Sequence, residues 1–513
     1  MKFKSFITLA AAAAIACPTA IRCSSKPLAA NIPSVTFSNF DSRINGGEPI
    51  RGVDISSIIS LEEAGMKFYD DNGNVQDIFQ VLADHGVNYI RVRIWNEPYD
   101  SNGHSYGGGH SDLETAAKIG KRAAEHGMKL LADIQYSDFW ADPAKQYRPK
   151  YWKQHDHDTL KGEIYKWTSW VLKYLTENGS DIGMVQVGNE TECYFCDEKD
   201  MYKICDLFSS GEKAVRDFSK NILIAHHFAN PGNGHFGWYA KIMNECHLDY
   251  DVFATSYYSY WHGSLDNLRK VLTEIGDTYH KYVMVAETAY PYTNEDGDGF
   301  RNNAGDGLDS CEMKYEVSVG GQIKALTDVF DTISKCNGHG IGVFYWEPAW
   351  LGVPDIPWEQ QKQLWDSYGS GWATSYAKGY DRDVTESGGS SFDNQALFDF
   401  HGKPLESLDV FLNIYPQKKP VVTTTSTTTT TTTTSTTEPV RTKTIVLGDI
   451  NNDGVIDVFD VVELRKAIVS GNKSAELDLN GDNEVGVADL VKLQRYILGY
   501  ADNDLTYKTI IVK

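Results

Sequence analysis

The stretch GMVQVGNE at residues 183–190 has the pattern of a short strand that ends on polar residues. Within it, apolar residues alternate with Gln186 and Gly188, and the run stops at Asn189 and Glu190. Alternation of this kind over a few residues is typical of a β-strand. The end of the strand therefore presents an amide and a carboxylate side by side, and the rest of the chain has to explain why.

Seven similar runs recur between residues 48 and 413. They are RGVDISS (51–57), NYIRVRIW (88–95), KLLADIQY (129–136), NILIAHHF (221–228), DVFATSYY (251–258), KYVMVAETAY (281–290) and IGVFYWEP (341–348). Amphipathic stretches such as LETAAKIGKRAAEHG (113–127) lie between them and predict helices. Strands that alternate with helices imply parallel pairing, so residues 48–415 fit an α/β domain, a closed (β/α)₈ TIM barrel. An open doubly wound sheet is the alternative, but no glycine-rich phosphate loop follows the first strand.

Predicted strand 8 carries Glu347 near its end, and predicted strands 4 and 7 place the glutamates Glu190 and Glu287 at theirs. In a barrel of this kind, the C-terminal strand ends line the mouth, so the two carboxylates would face each other across it. That geometry suits glycoside hydrolysis, in which one carboxyl protonates the leaving oxygen while another attacks or activates water. We expect Arg91 to keep Glu287 ionised and a ring-lined site to keep Glu190 protonated. Asn189 is placed to bind a sugar hydroxyl.

Aromatic residues follow the same strand ends. Sugar rings have flat apolar faces, so a saccharide cleft needs aromatic platforms. The candidates are Trp95, Trp140, Trp261, Trp346 and Tyr258.

Charge and the first residues bear on partners and location. The formal net charge of −22 argues against nucleic acid or an anionic membrane as a partner. Residues 1–30 predict a signal peptide, because two lysines precede FITLAAAAAIA (6–16), an apolar run too short to span a bilayer. No other segment has the length and apolar character for membrane insertion. We therefore expect a secreted, extracellular protein associated with a cell-surface complex.

A threonine-rich linker is predicted at residues 420–443, around TTTSTTTTTTTTSTT (423–437). It lacks hydrophobic periodicity and has the composition of an extended tether. It separates the large domain from a small one at residues 444–513.

The small domain contains a duplicated loop, DINNDGVIDVFD (449–460) and DLNGDNEVGVAD (478–489). Oxygen-bearing side chains at positions 1, 3, 5 and 12, followed by a helical pattern, are typical of a calcium loop of EF-hand type. Two Ca²⁺ ions are therefore expected. The predicted side-chain ligands are Asp449, Asn451, Asp453, Asp457 and Asp460, then Asp478, Asn480, Asp482 and Asp489, with the carbonyls of Val455 and Glu484.

The duplicated loop and helix pattern, with Asp at position 12, resembles a dockerin domain of type I. That resemblance implies a small all-α, calcium-binding domain. It also implies that the partner is a cohesin module on the scaffoldin of a cellulosome.

The large domain resembles glycoside hydrolase family 53, the endo-β-1,4-galactanases of clan A. The similar motifs include RGVDISS, GVNYIRVRIWNEP, YSDFWADPAKQ, SYYSYWHGSL, VAETAYPYT, GVFYWEPAW and SFDNQALFDFHGKPLESLDVF. The resemblance implies retaining endo-hydrolysis of galactan, including type I arabinogalactan of pectin, with Glu190 as acid/base and Glu287 as nucleophile. Arg91, Asn189, Tyr258 and Trp346 match supporting positions. Gln135 stands where the family usually carries histidine.

The loop NEDGDGFRNN (294–303) resembles the calcium loop of bacterial members of this family. The resemblance implies one further Ca²⁺, with a set of oxygen ligands of the kind that calcium prefers. These ligands are Asp296, Asp298, Asn302, Ser390, Asp393 and the Phe300 carbonyl.

Two other functions stay open on the residues alone. The barrel and its two glutamates would look alike in a clan A endo-glycanase acting on mannan, xylan or glucan. A non-catalytic carbohydrate-binding subunit of the same complex is the other alternative, although both glutamates are present.

Overall fold

The structure is a computed structural model that describes residues 34–37, 41–192 and 194–414. In the C-terminal part it describes residues 441–446, 448, 450, 456, 458–469, 474, 477–482, 484–497 and 507–512. These residues fall into two units, which are considered separately. The predicted signal peptide and residues 420–440 of the predicted linker lie outside the described residues, whereas the last three residues of that linker, 441–443, belong to a strand. Five predicted ligands of the first calcium loop also lie outside the described residues, namely Asp449, Asn451, Asp453, Val455 and Asp457.

The large unit is a closed barrel of eight parallel strands, as predicted. The strands are β1 (Ile50–Asp54), β2 (Tyr89–Ile94), β3 (Lys129–Ile134), β4 (Ile182–Val187), β5 (Leu223–Ala229), β6 (Val252–Ser256), β7 (Tyr282–Thr288) and β8 (Gly340–Trp346). Each strand pairs with the next in the chain, and β8 pairs with β1. The closure excludes the open doubly wound sheet.

Ten helices surround or connect these strands in the described part of the barrel unit. They are α1 (Ile58–Ala64), α2 (Ile78–Asp84), α3 (Leu113–Glu125), α4 (His157–Glu177), α5 (Met201–Phe218), α6 (Phe236–Glu245), α7 (Leu265–Tyr279), α8 (Val319–Ser334), α9 (Trp358–Tyr368) and α10 (Val410–Asn413). Several begin at a side chain that accepts a backbone N–H, such as Asp112 for α3 and Asp156 for α4. Such caps satisfy N–H groups that have no partner within the helix. Among the described residues, no helix is long and apolar enough to cross a membrane.

The side chains inside the barrel change from apolar to polar along the strands. Near the N-terminal ends, Tyr89, Leu131 and Met184 belong to one apolar cluster. Side chains two residues further along a strand point the same way. On β2, β3 and β4 these are Arg91, Asp133 and Gln186, which are buried and contact one another. The barrel thus carries its polar groups at the end where active sites of this fold lie.

A bulge on β7 turns Glu287 into the barrel. Thr255 pairs with Val285, but the next residue of β6, Ser256, pairs with Glu287, so Ala286 is skipped. Ala286 belongs to the apolar cluster inside the barrel. Strict alternation would point Glu287 outward, and the extra residue reverses that direction.

The C-terminal unit contains α11 (Val458–Val469) and α12 (Val487–Ile497), as the loop and helix pattern predicts. Leu464, Leu477, Leu479 and Leu493 form its buried apolar cluster. The structure adds one feature that was not predicted, an antiparallel pair of strands. These are β9 (Arg441–Val446) and β10 (Tyr507–Val512).

Candidate active site

A cavity of about 430 Å³ lies at the C-terminal ends of the barrel strands. Eight of the ten predicted catalytic and substrate-binding residues line it, namely Gln135, Trp140, Asn189, Glu190, Tyr258, Trp261, Glu287 and Trp346. Predicted strand 4 reached Glu190, but β4 ends at Val187 because the chain then turns, with φ of +85° at Gly188 and +47° at Glu190. The turn directs both Asn189 and Glu190 to the cavity.

Glu287 has a cation and a hydroxyl against its carboxylate. Arg91 Nη1 lies 2.9 Å from its Oε1, and the Tyr258 hydroxyl donates to its Oε2 at 3.1 Å. Burial raises the pKa of Glu287, while Arg91 and Tyr258 oppose that rise by stabilising the ionised form.

Glu190 has a different environment. Its Oε1 lies 2.6 Å from Ser256 Oγ, and the charged groups that act most strongly on it are other carboxyls. Burial comes first, followed by the charges of Glu287 and Glu192, and together they hold the pKa of Glu190 well above its usual value. Glu287 is therefore the carboxyl that ionises first, and Glu190 is the one that keeps its proton.

Arg91 is fully buried below the two glutamates and does not line the cavity. Its Nη1 donates to Asp54 at 2.9 Å, and its Nη2 donates to Asp133 at 3.0 Å and to Asn189 Oδ1 at 2.7 Å. A buried cation is tolerated only with such partners. These contacts hold Glu287 and Asn189, and Arg91 itself does not reach the cavity.

Asn189 is fixed by both ends of its amide. Its Oδ1 accepts from Arg91, and its Nδ2 donates to the Ala141 carbonyl at 2.9 Å. Nδ2 carries a second proton, and Asn189 forms part of the cavity wall. This proton is available to a sugar hydroxyl.

Aromatic rings form much of the cavity wall. They are Trp140, Tyr258, Trp261, Trp346, Trp350, Trp372 and Phe392. Arg93 lies over the rings of Trp140 and Trp346, at 4.6 and 5.8 Å from their centres, and Glu347 holds its guanidinium at 2.7 Å. Burial raises the pKa of Glu347 to about 7, against the effect of Arg93. Apolar ring faces backed by a fixed cation suit the binding of sugar rings.

Trp95 does not belong to this wall, contrary to the expectation from its position near a strand end. The residue is completely buried, and its Nε1 donates to Gln135 Oε1 at 2.7 Å. Gln135 in turn donates to Asp133 at 2.8 Å. Trp95 therefore fixes the amide of Gln135. Of the three hydrogen-bonded residues Trp95, Gln135 and Asp133, Gln135 is the one that lines the cavity.

Several residues beneath the cavity were not predicted as site residues. They are Asp54, Asp133, Gln186, His227, Ser256 and Glu347, all buried. A signal was present, since a polar residue within an otherwise apolar strand needs buried partners. Their partners could not be identified before the barrel register was known.

The loop after β7 and the segment around Asp393, which follows α9, bring three predicted metal ligands together. Carboxylate oxygens of Asp296, Asp298 and Asp393 lie within 4.8 Å of one another. Burial and the neighbouring carboxylate raise the pKa of Asp298 to about 7. Asp393 Oδ1 and Asn302 Oδ1 are buried without a hydrogen-bond donor.

The two remaining predicted ligands of that site lie beside it. The Ser390 N–H donates to Asp298 Oδ2 at 2.7 Å, and the Phe300 N–H donates to Asp298 Oδ1 at 2.7 Å. These contacts fix the Asp298 carboxylate within the cluster.

In the second loop of the C-terminal unit, Asp489 turns back onto the start of its own loop. Its Oδ1 accepts from the N–H of Leu479 at 2.8 Å, and its Oδ2 accepts from the N–H of Gly486 at 2.8 Å. The other predicted ligands there are Asp478, Asn480, Asp482 and Glu484, joined by hydrogen bonds within the loop. Asp460 is the corresponding residue of the first loop and accepts from the Ile450 N–H at 2.6 Å.

Known proteins resemble both units. The sequence model of glycosyl hydrolase family 53 matches residues 50–411, and that of the dockerin type I domain matches residues 447–498. The endo-beta-1,4-galactanase of Bacillus subtilis (strain 168) is 52% identical over 366 residues, covering 71% of this chain and 85% of that protein. The arabinogalactan endo-beta-1,4-galactanase of Cellvibrio japonicus (strain Ueda107) is 35% identical over 317 residues, covering 59% of this chain and 81% of that protein.

A solved structure supports the same assignment. The GH53 catalytic domain of Ignisphaera aggregans has a TM-score of 0.64 and 32% sequence identity, covering 74% of this chain and 99% of that chain. The resemblances stated from the motifs are thereby confirmed. The chain belongs to glycosyl hydrolase family 53, is a glycoside hydrolase with a TIM-barrel catalytic domain, and carries a type I dockerin domain after it.

Proposed function

We propose that this chain is a secreted endo-β-1,4-galactanase that cleaves galactan, including the type I arabinogalactan of pectin, by a retaining double displacement. The observation that carries the mechanism is the unequal environment of the two glutamates. Glu287 has Arg91 at 2.9 Å, whereas Glu190 is surrounded by carboxyls and apolar rings. The substrate follows from the 52% identity to the Bacillus subtilis endo-beta-1,4-galactanase.

In the first step, Glu287 attacks the anomeric carbon of the galactosyl unit while Glu190 donates its proton to the glycosidic oxygen. The C–O bond breaks, the leaving chain departs with a new hydroxyl, and a galactosyl ester forms on Glu287. Arg91 and Tyr258 stabilise the carboxylate before attack. The Asn189 amide donates to the sugar 2-hydroxyl, a contact that strengthens in the transition state.

In the second step, Glu190 is a carboxylate and removes a proton from water. The water attacks the anomeric carbon, the ester bond breaks, and Glu287 leaves as a carboxylate again. The sugar keeps the β-configuration because its anomeric centre is inverted twice.

A calcium ion fits the cluster after β7. Three carboxylates are held within 4.8 Å, and two buried oxygens, Asp393 Oδ1 and Asn302 Oδ1, lack hydrogen-bond donors. Like charges this close repel each other unless a cation neutralises them. Asp296, Asp298, Asn302 and Asp393 would hold the ion, with Ser390 and the Phe300 carbonyl as further ligands. Bound there, calcium supplies charge neutralisation that fixes the loop beside the active site.

The dockerin domain is proposed to bind two calcium ions and a cohesin module of a scaffoldin. Its described loop residues offer carboxylate, amide and carbonyl oxygens, the donors that calcium prefers. On α12, Val487 and Val491 lie one helical turn apart and are 68% and 46% exposed. An apolar pair of this kind on the surface suits contact with a partner protein. The signal peptide predicted at residues 1–30 supports export to such an extracellular complex.

The test of the catalytic proposal is reducing-end release from linear β-1,4-galactan by the full chain. Mannan, xylan and carboxymethylcellulose serve as comparison substrates, and Glu287→Gln serves as the inactive control. Proton NMR of the first product reports the anomer, and the β-anomer is expected.

Three outcomes would contradict parts of the proposal. Activity on another glycan would overturn the substrate and support the other clan A endo-glycanases. The α-anomer as first product would overturn retention. Binding of galactan without cleavage would support the non-catalytic subunit.

A further inference from the structure

A continuous series of polar contacts connects the two catalytic glutamates through the barrel. From Glu287 it runs to Arg91 at 2.9 Å, and from there to Asn189 Oδ1 at 2.7 Å. It continues to His227 Nδ1 at 2.8 Å, from His227 Nε2 to Ser256 Oγ at 2.9 Å, and from there to Glu190 Oε1 at 2.6 Å. His227 and Ser256 are completely buried. The direction of each hydrogen bond in the series, from donor to acceptor, determines which atom can donate in the next one.

The first constraint is the orientation of Asn189. Its oxygen faces Arg91, which can only donate, and its nitrogen faces the Ala141 carbonyl, which can only accept. Oδ1 is therefore an acceptor, and the His227 Nδ1 at 2.8 Å must carry a proton that it donates to that oxygen.

The second constraint is the tautomer of His227. Burial, and then the charge of Arg91, lower the pKa of His227 well below its usual value, so the ring is neutral. A neutral imidazole with a proton on Nδ1 has a bare Nε2 that can only accept. Gln186 Nε2 also lies 3.1 Å from Nδ1, but its two protons have closer acceptors in Asp133 Oδ1 at 2.7 Å and Asn189 Oδ1 at 3.0 Å.

The third constraint falls on Ser256. Its hydroxyl has one proton, and the bare Nε2 of His227 at 2.9 Å accepts it. Ser256 Oγ then offers only lone pairs to Glu190 at 2.6 Å. The series is complete when the Glu190 carboxyl is protonated and donates to Ser256.

We propose that Ser256 and His227 are positioning residues for Glu190. They stabilise its protonated form before the first step, and their hydrogen bonds then change to stabilise its carboxylate form. While Glu190 is protonated, the Ser256 hydroxyl donates to His227. After Glu190 has given its proton to the leaving group, the hydroxyl rotates and donates to the new carboxylate. The two roles rest on the proposed double displacement, but the hydrogen-bond arrangement does not depend on which glycan is cleaved.

Several other groups act on the charge of Glu190, and none of them competes for the Ser256 proton. Glu287 faces it from β7, Asp142 from the loop after β3, and Glu192 from the loop after β4. Burial raises the pKa of Glu192 to about 8, and its Oε1 accepts from the Ala229 N–H. The Tyr258 hydroxyl is directed to Glu287.

The proposal predicts opposite effects for two substitutions. Ser256→Ala removes the donor of the carboxylate form, and a bond to a charged acceptor is stronger than the neutral bond lost from the acid form. The pKa of Glu190 should rise by about 1 unit. His227→Phe removes the acceptor at Nε2 and frees the hydroxyl to donate to Glu190, so the pKa of Glu190 should fall by a similar amount. Asn189 keeps Arg91 and Gln186 as donors in that variant.

The experiment is an infrared titration of the full chain without substrate. The carboxyl C=O band of Glu190 is identified as the band that Glu190→Gln removes. Its midpoint is followed in the wild type, Ser256→Ala and His227→Phe. The matched control is Ser407→Ala, which removes a buried hydroxyl that donates to Gln322 outside the active site. Thermal unfolding of each variant reports whether the fold is kept.

A rise of the midpoint in Ser256→Ala together with a fall in His227→Phe, with no shift in the control, supports the proposal, and the reversed pair of shifts contradicts it. Shifts in the same direction, or no shift, overturn it. If His227→Phe does not fold, Ser256→Ala tests the proposal by itself. A Glu190 midpoint that stays unchanged or falls in this variant contradicts the proposal.

Activity distinguishes the two proposals. On galactan, Ser256→Ala should move the basic limb of kcat/KM to higher pH, whereas a merely structural role would lower activity at all pH values. A wild type that cleaves galactan, with an unshifted Glu190 band in the variants, refutes only the role of Ser256 and His227. Shifted bands in a chain that does not cleave galactan refute only the proposed function.

Discussion

The Tyr258 hydroxyl donates to Glu287 at 3.1 Å, on the carboxylate oxygen that Arg91 does not contact. Burial raises the pKa of Glu287, and these two donors limit the rise. Arg91 on β2 and Tyr258 after β6 thus stabilise the ionised form of the nucleophile, although the nucleophile is buried. Its reactivity depends on donors that can be removed one at a time.

Tyr258→Phe should move the acid limb of the pH profile. The hydroxyl stabilises the ionised form of Glu287, so its loss raises the pKa of Glu287, and a higher pH is then needed to ionise the nucleophile. One hydrogen bond of about 1 kcal/mol corresponds to a shift of roughly 0.7 pH units. The measurement is kcat/KM against pH on galactan.

The matched control is Tyr260→Phe. Tyr260 is also buried, but its hydroxyl donates to Gln395 at 2.7 Å and not to a glutamate. An acid limb that moves equally in both variants would indicate a general effect on the barrel.

Glu190→Ala should separate the two chemical steps. Loss of the acid slows cleavage of galactan by about 10²–10⁴-fold, because the leaving sugar oxygen needs a proton. An aryl β-galactobioside with a good leaving group does not need that proton, so its first step should stay fast and the ester on Glu287 should accumulate. Azide, which attacks without a general base, should then restore turnover and give a β-galactobiosyl azide.

Glu287→Ala provides the contrast on the same substrates. Azide can occupy the space of the lost nucleophile, and a single displacement would give the α-azide. A β-azide from Glu287→Ala, or an α-azide from Glu190→Ala, would mean that the two roles are exchanged.

Much of the fold follows from the alternation of apolar runs with amphipathic helices, and all eight predicted strands exist. Seven of them were predicted to extend too far at the C-terminal end, as for β4, which ends at Val187, whereas β5 runs one residue further than predicted, to Ala229. The residues that follow take up left-handed conformations, such as Glu190 at φ +47°. Residue type alone does not specify that turn, since left-handed backbone is uncommon outside glycine.

The direction of the Glu287 side chain could not be derived from the alternation of residues along the strand. With Ala286 inside the barrel, alternation places Glu287 outside it, and only the bulge opposite Ser256 corrects this. The same limit applies to Trp95, which lies near a strand end like Trp346 but is covered by neighbouring rings and contacts Gln135. Whether an aromatic ring faces the cavity or is buried behind its wall depends on loops from distant parts of the chain.

Glu347→Gln should weaken substrate binding more than it slows the reaction. Glu347 holds the Arg93 guanidinium at 2.7 Å, against the rings of Trp140 and Trp346. Without the negative charge, Arg93 loses a charge-assisted bond and the ring platform loses its support. KM for galactan should rise by up to about tenfold, with kcat changed less than threefold.

The control for that variant is Glu386→Gln, since Glu386 is an exposed partner of Lys362 on the surface. It should leave KM unchanged. A fall in kcat without a change in KM for Glu347→Gln would place Glu347 in the chemical step instead.

Asp489→Ala should prevent the dockerin domain from binding two calcium ions. Asp489 is buried at the end of the second loop and accepts N–H groups from the start of that loop. Its loss removes both a ligand and these contacts. Titration calorimetry with calcium should give one ion fewer than the wild type, and binding to type I cohesins should weaken. An unchanged stoichiometry would contradict the ligand assignment.

Asp393→Asn should make the stability of the barrel less dependent on calcium. In the wild type, chelation leaves Asp298, Asp296 and Asp393 to repel one another, so the barrel transition should fall by several degrees on removal of calcium. The asparagine removes one of the like charges. Without calcium the variant should therefore unfold at a higher temperature than the wild type, and with calcium at a lower one. Differential scanning calorimetry in calcium and in chelator measures both, with the exposed Asp355→Asn as the control. An equal response of wild type and Asp393→Asn to chelation would show that this cluster does not hold the ion.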